Sequence, residues 1–267
     1  MPMNSWIKKH QKGFGRVFWC LLLLFIWELW VKVSQVSPML FPSVEDVLIT
    51  LWEDLFYGNL LGQTFSSLWL ICMGLLIALS LSLTAGLLST HFKTVASFID
   101  TLTAIAHPLP GLALLPLIIM WFGTGTNAVL AIIIHSALWP MLLNLMAGFL
   151  SVPDIYLDAG RNLSMGPIAI TFEIQLRASM GYVLSGLKIG WARAWRALIS
   201  AEMVFGAVGN KGGIGWYLLN QRTFMDTAGL FAGILLVIII GILIEDVLFS
   251  ALEKHTLARW GMNGGWK

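Results

Sequence analysis

Three stretches of this chain run without a single Asp, Glu, Lys or Arg: residues 55–90, 101–153 and 227–244. A helix crossing about 30 Å of hydrocarbon needs roughly 20 apolar residues, so each run is long enough, and the second has room for two spans. Six spans fit the pattern, at about 17–36, 63–89, 95–121, 127–149, 182–206 and 227–252. Backbone polar groups in lipid must be satisfied within the segment, which requires helices; the runs lack the alternation of a β-barrel. Only 11% of the 267 residues are charged, less than half the roughly 25% of a soluble domain. A disordered chain, a nucleic-acid-binding module and an ordinary cytosolic enzyme are excluded. Cys20 and Cys72 lie in apolar runs and suggest neither a disulfide framework nor a metal site. The expected fold class is an all-α polytopic membrane protein.

The loops carry the orientation signal. Lys8, Lys9, Lys12 and Arg16, then Lys93, Arg161 and Arg177, then Lys254, Arg259 and Lys267 fall on one side; only Lys211 and Arg222 fall on the other. Cytoplasmic loops hold the excess of Lys and Arg, so both termini are expected in the cytoplasm. The first apolar stretch has no small-residue cleavage site after Val31 and five more spans follow, so it reads as an uncleaved helix. The chain divides into a cytoplasmic segment 1–16, a membrane region 17–252 with a cytoplasmic loop at 151–181, and a cytoplasmic tail 253–267.

Two segments stand out. Pro108, Pro110 and Pro116 interrupt the third span; proline removes a backbone donor and kinks a helix, and broken helices are tolerated beside protein or a cavity. A packing kink fits these prolines as well as a pathway wall does. The Gly123-Thr124-Gly125 stretch marks a turn before the fourth span. Residues 151–181 form the largest cytoplasmic feature. Ser151 and Asp154 have capping-box spacing, predicting a short helix from about 152 to 164 with Pro153 in its first turn. Ile155, Leu157 and Leu163 would give it an apolar side, and Asp158, Arg161 and Asn162 a polar one. A second short helix, about 168–178, would carry Glu173, Gln175 and Arg177. Such helices suit docking of a soluble partner, and they also suit a plain surface connector.

Asp158-Ala159-Gly160-Arg161-Asn162-Leu163-Ser164 resembles the cytoplasmic EAA loop of ABC importer permeases. Gly186-Leu187-Lys188-Ile189-Gly190, Ala192-Arg193-Ala194-Trp195 and Ala201-Glu202-Met203 resemble the fifth helix of the nitrate/sulfonate/taurine branch. Pro108-Leu109-Pro110-Gly111, Trp121-Phe122-Gly123-Thr124-Gly125, Trp27-Glu28-Leu29 and Ser37-Pro38-Met39-Leu40-Phe41-Pro42-Ser43 fit the same branch. The resemblance runs from about residue 22 to 260. The family's Glu-Ala-Ala is Asp158-Ala159-Gly160 here, its following glycine is Ser164, its Leu-Pro is Leu176-Arg177, and its next proline is Gly181.

This resemblance implies a type I importer permease fold with about six spans, in a bacterial inner membrane. It implies a second permease copy, identical or related, and a cytoplasmic ATPase dimer that grips Asp158, Ala159, Gly160, Arg161 and Leu163. An external binding protein, periplasmic or lipid-anchored, would deliver the solute. No cofactor is expected in this chain; ATP and Mg belong to the ATPase, and the chain itself is not an enzyme. The solute expected first is an organosulfonate or taurine, then nitrate or another small anion. A thiamine-precursor-like molecule is the alternative within the branch.

Ionisable groups at bilayer depth cost about 2.5–3.5 kcal/mol on insertion scales and mark function by default. Arg193, Arg196 and Glu202 lie in the fifth span, and the two arginines share a helical face. They suit drawing an anion into a pathway, and equally suit pairing with a carboxylate or packing on Trp195. Arg193 fits the family pattern, whereas Arg196 stands where the family commonly has an uncharged residue. Trp195 and Pro110 complete the pathway candidates. Glu28 and Lys32 have the favourable i,i+4 order of a structural pair. His107 and His135 have nothing at ligand spacing beside them. The glycine-rich run 206–215 lacks the Gly-Lys-Ser/Thr ending of a phosphate loop and reads as a flexible outer turn. A membrane-embedded enzyme would need HExxH, paired aspartates or a Ser/His set, and none is present. A stand-alone secondary transporter would show two related halves, and none is evident.

Overall fold

The computed structural model describes residues 3–207 and 212–256, without the side chains of 3–14, 16 and 17. Lys8, Lys9, Lys12, Arg16, Lys211, Arg259 and Lys267 therefore lie outside the described side chains, as do 208–211 of the glycine-rich run. All regular structure among the described residues is helical. In order these are α1 (Met3–Ser34), α2 (Val44–Phe56), α3 (Leu60–His91), α4 (Lys93–Ala106), a 3-10 turn (Gly111–Leu114) leading into α5 (Leu115–Phe122), and α6 (Thr126–Leu150). Then come α7 (Asp154–Asn162), α8 (Pro167–Ile170), a π turn (Thr171–Leu176), α9 (Met180–Phe205), α10 (Ile214–Thr223), α11 (Thr227–Ile242), a second π turn (Leu243–Leu248) and α12 (Phe249–Thr256).

Among the described residues, three helices are long and apolar enough to cross a membrane: Leu60–His91, Thr126–Leu150 and Thr227–Thr256. Lys93–Ala106 with Gly111–Phe122 makes a fourth, bent by 91°. The third span, read as interrupted by its prolines, is two helices at this angle. Pro110 sits in extended backbone before the 3-10 turn and Pro116 in the first turn of α5, where a missing N–H costs nothing. At about 1.5 Å per residue, α1 and α9 reach about 48 and 39 Å; α9 has the length of a span but carries Lys188, Arg193, Arg196 and Glu202. Two segments read as loops contain helices, α2 within 37–62 and α10 within 207–226. α1 also starts at Met3, so the basic stretch is wound into it; lysine is a good helix former.

The chain forms two compact units. The first comprises Met1–Leu61 with Tyr217–Leu236. Here the Trp27 ring lies 5.4 Å from both Phe41 and Phe231, and its indole N–H donates to the Pro42 carbonyl at 3.0 Å. Glu28 pairs with Lys32 at 3.0 Å, as its spacing suggests, and also accepts from the Val44 N–H at 2.9 Å. That carboxylate takes the Val44 amide, and the Ser43–Asp46 capping box takes those of Ser43 and Asp46, at the start of α2. Tyr217 donates its hydroxyl to Asp54; burial, then that carboxylate, pushes the phenol's pKa up.

The second unit, Gly62–Trp216 with Val237–Lys267, is built on α6 against α9. Ile132, Ile133, Ala137, Leu145, Ala194 and Leu198 are fully or almost fully buried. Gly186 permits the close approach: a Cβ there would sit 3.0 Å from the Asn144 Cβ and 3.1 Å from the Met141 Cα, so any side chain would push the helices apart.

Candidate translocation cavity and coupling segment

The break between α4 and the 3-10 turn opens a cavity of about 500 Å³ in the second unit. Its wall comes from the broken segment (His107 to Leu112), from α6 (His135, Ser136, Trp139) and from α9 (Arg193, Arg196, Ala197, Ser200). The i,i+3 spacing puts both guanidinium groups on the cavity face, as the sequence suggested. No aspartate or glutamate lines it. Arg193 Nη1 lies 3.2 Å from His107 Nε2; a guanidinium only donates, so the imidazole accepts there and carries its proton on Nδ1. Arg196 Nε donates to the Ala192 carbonyl of its own helix at 3.0 Å. The Trp139 indole donates to His135 Nδ1 at 3.2 Å, which leaves Nε2–H to donate to the Leu109 carbonyl at 3.1 Å. That bond helps hold the broken segment on α6. Among the described residues no group of histidines, cysteines or carboxylates is arranged to hold a metal ion.

The other pathway candidates are placed differently. Pro110 lines the cavity. Trp195 is buried and stacked on Trp191, with ring centroids 5.5 Å apart. Glu202 is 0% exposed and away from the cavity wall. Its carboxylate accepts from Ser67 Oγ at 2.7 and 2.9 Å and from the Gly215 N–H at 2.9 Å. Ser67 Oγ in turn accepts from the Ile214 N–H at 2.9 Å. Glu202 and Ser67 thereby tie α3, α9 and the first turn of α10 together, and a buried carboxylate with several donors is satisfied.

The 151–181 segment departs from the capping-box expectation. Ser151 closes α6: its N–H donates to the carbonyls of Ala147 and Gly148 and its hydroxyl to Gly148 at 2.7 Å. Pro153 then stands in extended backbone as the N-cap, without a side-chain cap, and α7 starts at Asp154 rather than near 152. Asp158 and Arg161 pair at 2.7 Å on the exposed face, and Ala159 beside them is exposed too. The apolar side is not the side that α7 buries. Ile155 and Leu163 are 72% and 76% exposed, Leu157 is half-buried, and the buried residue is Gly160. A Cβ at Gly160 would lie 2.7 Å from Ile174 Cδ1 and 3.2 Å from Ile170 Cγ1. The Met165 N–H donates to the Gly160 carbonyl and the Ser164 N–H to Arg161, a Schellman ending with Ser164 left-handed at φ 59°. The second short helix starts at Pro167 and stays helical through Ala178, close to the expected 168–178, with a π turn at Thr171–Leu176 and Glu173 and Arg177 paired at 2.6 Å. With the family's prolines absent, the backbone keeps helical dihedrals through Arg177.

Residues 78–257 match the family model of the binding-protein-dependent transport system inner membrane component. The chain belongs to this family. An ABC transporter permease protein of Methanocaldococcus jannaschii is 28% identical over 242 residues, 89% of each chain. The taurine transport system permease protein TauC of Escherichia coli is 26% identical, over 84% of this chain and 82% of its own. An aliphatic sulfonates transport permease protein SsuC of Bacillus subtilis is 26% identical, over 95% of this chain and 91% of its own. The chain is thus a permease subunit of an ABC importer, an all-helical, multi-pass membrane component that works with a binding protein and an ATPase.

Within this permease, the sequence pattern missed the partners of its own candidates. His107 lies 86 residues from Arg193 and Ser67 lies 135 from Glu202. The proline cluster beside His107 was the available signal for the first pair. Nothing local marks Ser67.

Proposed function

We propose that this permease conducts a small anion of the organosulfonate class past Arg193 and Arg196, and that its partner ATPase drives it through α7. The observation that carries the reading is the cavity wall, which holds two guanidinium groups and no carboxylate. In a cavity at membrane depth a cation attracts an anion far more strongly than in water. Arginine suits a tetrahedral oxyanion because its planar fork offers paired donors. The relatives named for sulfonates and taurine agree with that charge. A cationic solute would meet two like charges there.

The coupling half of the proposal rests on α7. Ile155 and Leu163 stand out from it unpartnered beside the Asp158–Arg161 pair, which suits insertion into a groove of a soluble protein. In this reading 151–181 faces the cytoplasm with both termini, and ATP hydrolysis occurs in the partner, where Mg and ATP bind. The ATPase binds ATP better in its closed arrangement, and that difference is all the work available to the permease. The two permease copies switch as rigid bodies between outward and inward packings.

The test is uptake of radiolabelled ethanesulfonate by proteoliposomes holding this chain with its ATPase and binding protein. Arg196→Ala should raise the KM for uptake about 10-fold or more, the equivalent of losing one charge-assisted hydrogen bond. An unchanged KM would remove Arg196 from the pathway.

A further inference from the structure

A second cavity, of about 270 Å³, lies beside the first. His107 and Pro108 belong to both walls. The first cavity meets α6 at His135, Ser136 and Trp139; the second meets it at Leu142, Leu143 and Met146. At 1.5 Å per residue these patches are about 10 Å apart along the α6 axis. The second cavity also takes Asp100 and Thr103 from α4, one to two turns before His107. Both helices therefore displace it in the same direction, toward the end of α6 that leads into α7. The two cavities are stacked along the bundle, with His107 where they meet.

We infer that His107 is the gate between these cavities, latched by Arg193 and released by the anion itself. The inference rests on the anion-pathway reading above. In the latched state Arg193 Nη1 donates to His107 Nε2 at 3.2 Å, so the guanidinium that faces the first cavity also holds the side chain that closes the second. An imidazole offers Arg193 one neutral acceptor. A sulfonate offers it three charged oxygens, and charge-assisted bonds are about twice as strong as neutral ones. An anion seated on Arg193 and Arg196 takes over the guanidinium donors, His107 loses its latch, and the constriction opens only when cargo is present. A neutral solute makes no such exchange and leaves the latch shut. This is a differential interaction with two states, which a ligand-driven change requires. Beyond the gate the wall carries the carboxylate of Asp100, which repels an anion, so cargo that has passed is not retained. His107 acts here as a specificity-determining residue.

The complete transporter, with ATPase and binding protein, is reconstituted in proteoliposomes preloaded with radiolabelled ethanesulfonate and mannitol, without ATP. His107→Ala should release ethanesulfonate about 10-fold faster than the unaltered protein, and mannitol, which the latch no longer excludes, faster as well. His107→Gln, whose amide oxygen can accept from Arg193, should stay near the unaltered rate. A tight His107→Ala variant overturns the gate, and so does a His107→Gln variant that leaks as fast as His107→Ala, which would mark a general packing defect. A second measurement keeps His107 intact. With Cys20 and Cys72 replaced by Ser, Ala104→Cys in the second cavity is exposed to a membrane-impermeant thiol reagent on the binding-protein side. Saturating ethanesulfonate should speed its modification, and an unchanged rate overturns the inference. Failure of the gate stays distinct from failure of the anion pathway. If Arg196→Ala raises the uptake KM while His107→Ala stays tight, only the gate is lost.

Discussion

Ser164 holds a left-handed backbone at φ 59°, at the position after the α7 C-cap where helices most often place glycine. A Cβ in that conformation costs roughly 1–2 kcal/mol. Asp158-Ala159-Gly160 and Ser164 are two of the places where the sequence departs from the family's loop, and Gly160 and Ser164 sit at opposite ends of one Schellman ending. Gly160 supplies the carbonyl that accepts from Met165, and Ser164 supplies the turn. Ser164→Gly should therefore stabilise the purified permease by about 0.5–1 kcal/mol, with the gain of relieved strain partly offset by the entropy of a more flexible unfolded chain. Thermal unfolding followed by tryptophan fluorescence would read it as a rise in Tm; a fall would mean that the serine side chain makes the turn. Residue identity also explains what spacing could not. Arg193 and Arg196 were legible as candidates because charge inside an apolar helix is conspicuous. His107 was not, because a single histidine in an apolar run carries no pattern until the chain break brings it to Arg193.

At the scale of elements, two stretches spell the same signal and behave differently. Ser43-Val44-Glu45-Asp46 forms a capping box and starts α2; Ser151-Val152-Pro153-Asp154 does not. The second serine is already committed to ending α6, and Pro153 both lacks an N–H and biases Val152 away from helix. A motif read one helix at a time cannot register that competition. The long apolar helices were legible because burial in lipid leaves no other signal: α3, α6 and α9 lie within three residues of the expected ends. The 91° break was not, since proline predicts a kink without fixing its size. The contact of α7 with the following segment is testable at this scale. Gly160→Leu forces a side chain into the space of Ile170 and Ile174, and overpacking of this kind costs about 1–3 kcal/mol. Hydrogen exchange should quicken for the α7 amides and stay unchanged in α6. Unchanged exchange in both would show that α7 is not held by that contact.

At the scale of the whole molecule, a binding-protein-dependent permease gains its direction from parts it does not contain. Composition placed the chain in a membrane, because that term acts on whole segments. It gave no view of the cavity, which forms where helices distant in sequence meet. In the proposed reading the chain's share of the work is mechanical: α7 receives a movement, and α9 carries the arginines on which that movement acts. The segment from Pro167 through the π turn runs on into α9, and α7 meets that segment where Gly160 faces Ile170 and Ile174. In the proposed reading that contact carries a movement of α7 toward the cavity wall.

The measurement closest to that claim is cross-linking at Asp158. In a transporter with Cys20 and Cys72 replaced by Ser, Asp158→Cys is treated in sealed membrane vesicles of known orientation with a short bifunctional thiol reagent. The expected result is modification from the cytoplasmic face only and a cross-link to the ATPase subunit, with a yield that changes when ATP is added. Modification from the outer face alone, or no cross-link to the ATPase in vesicles that transport ethanesulfonate, would contradict it.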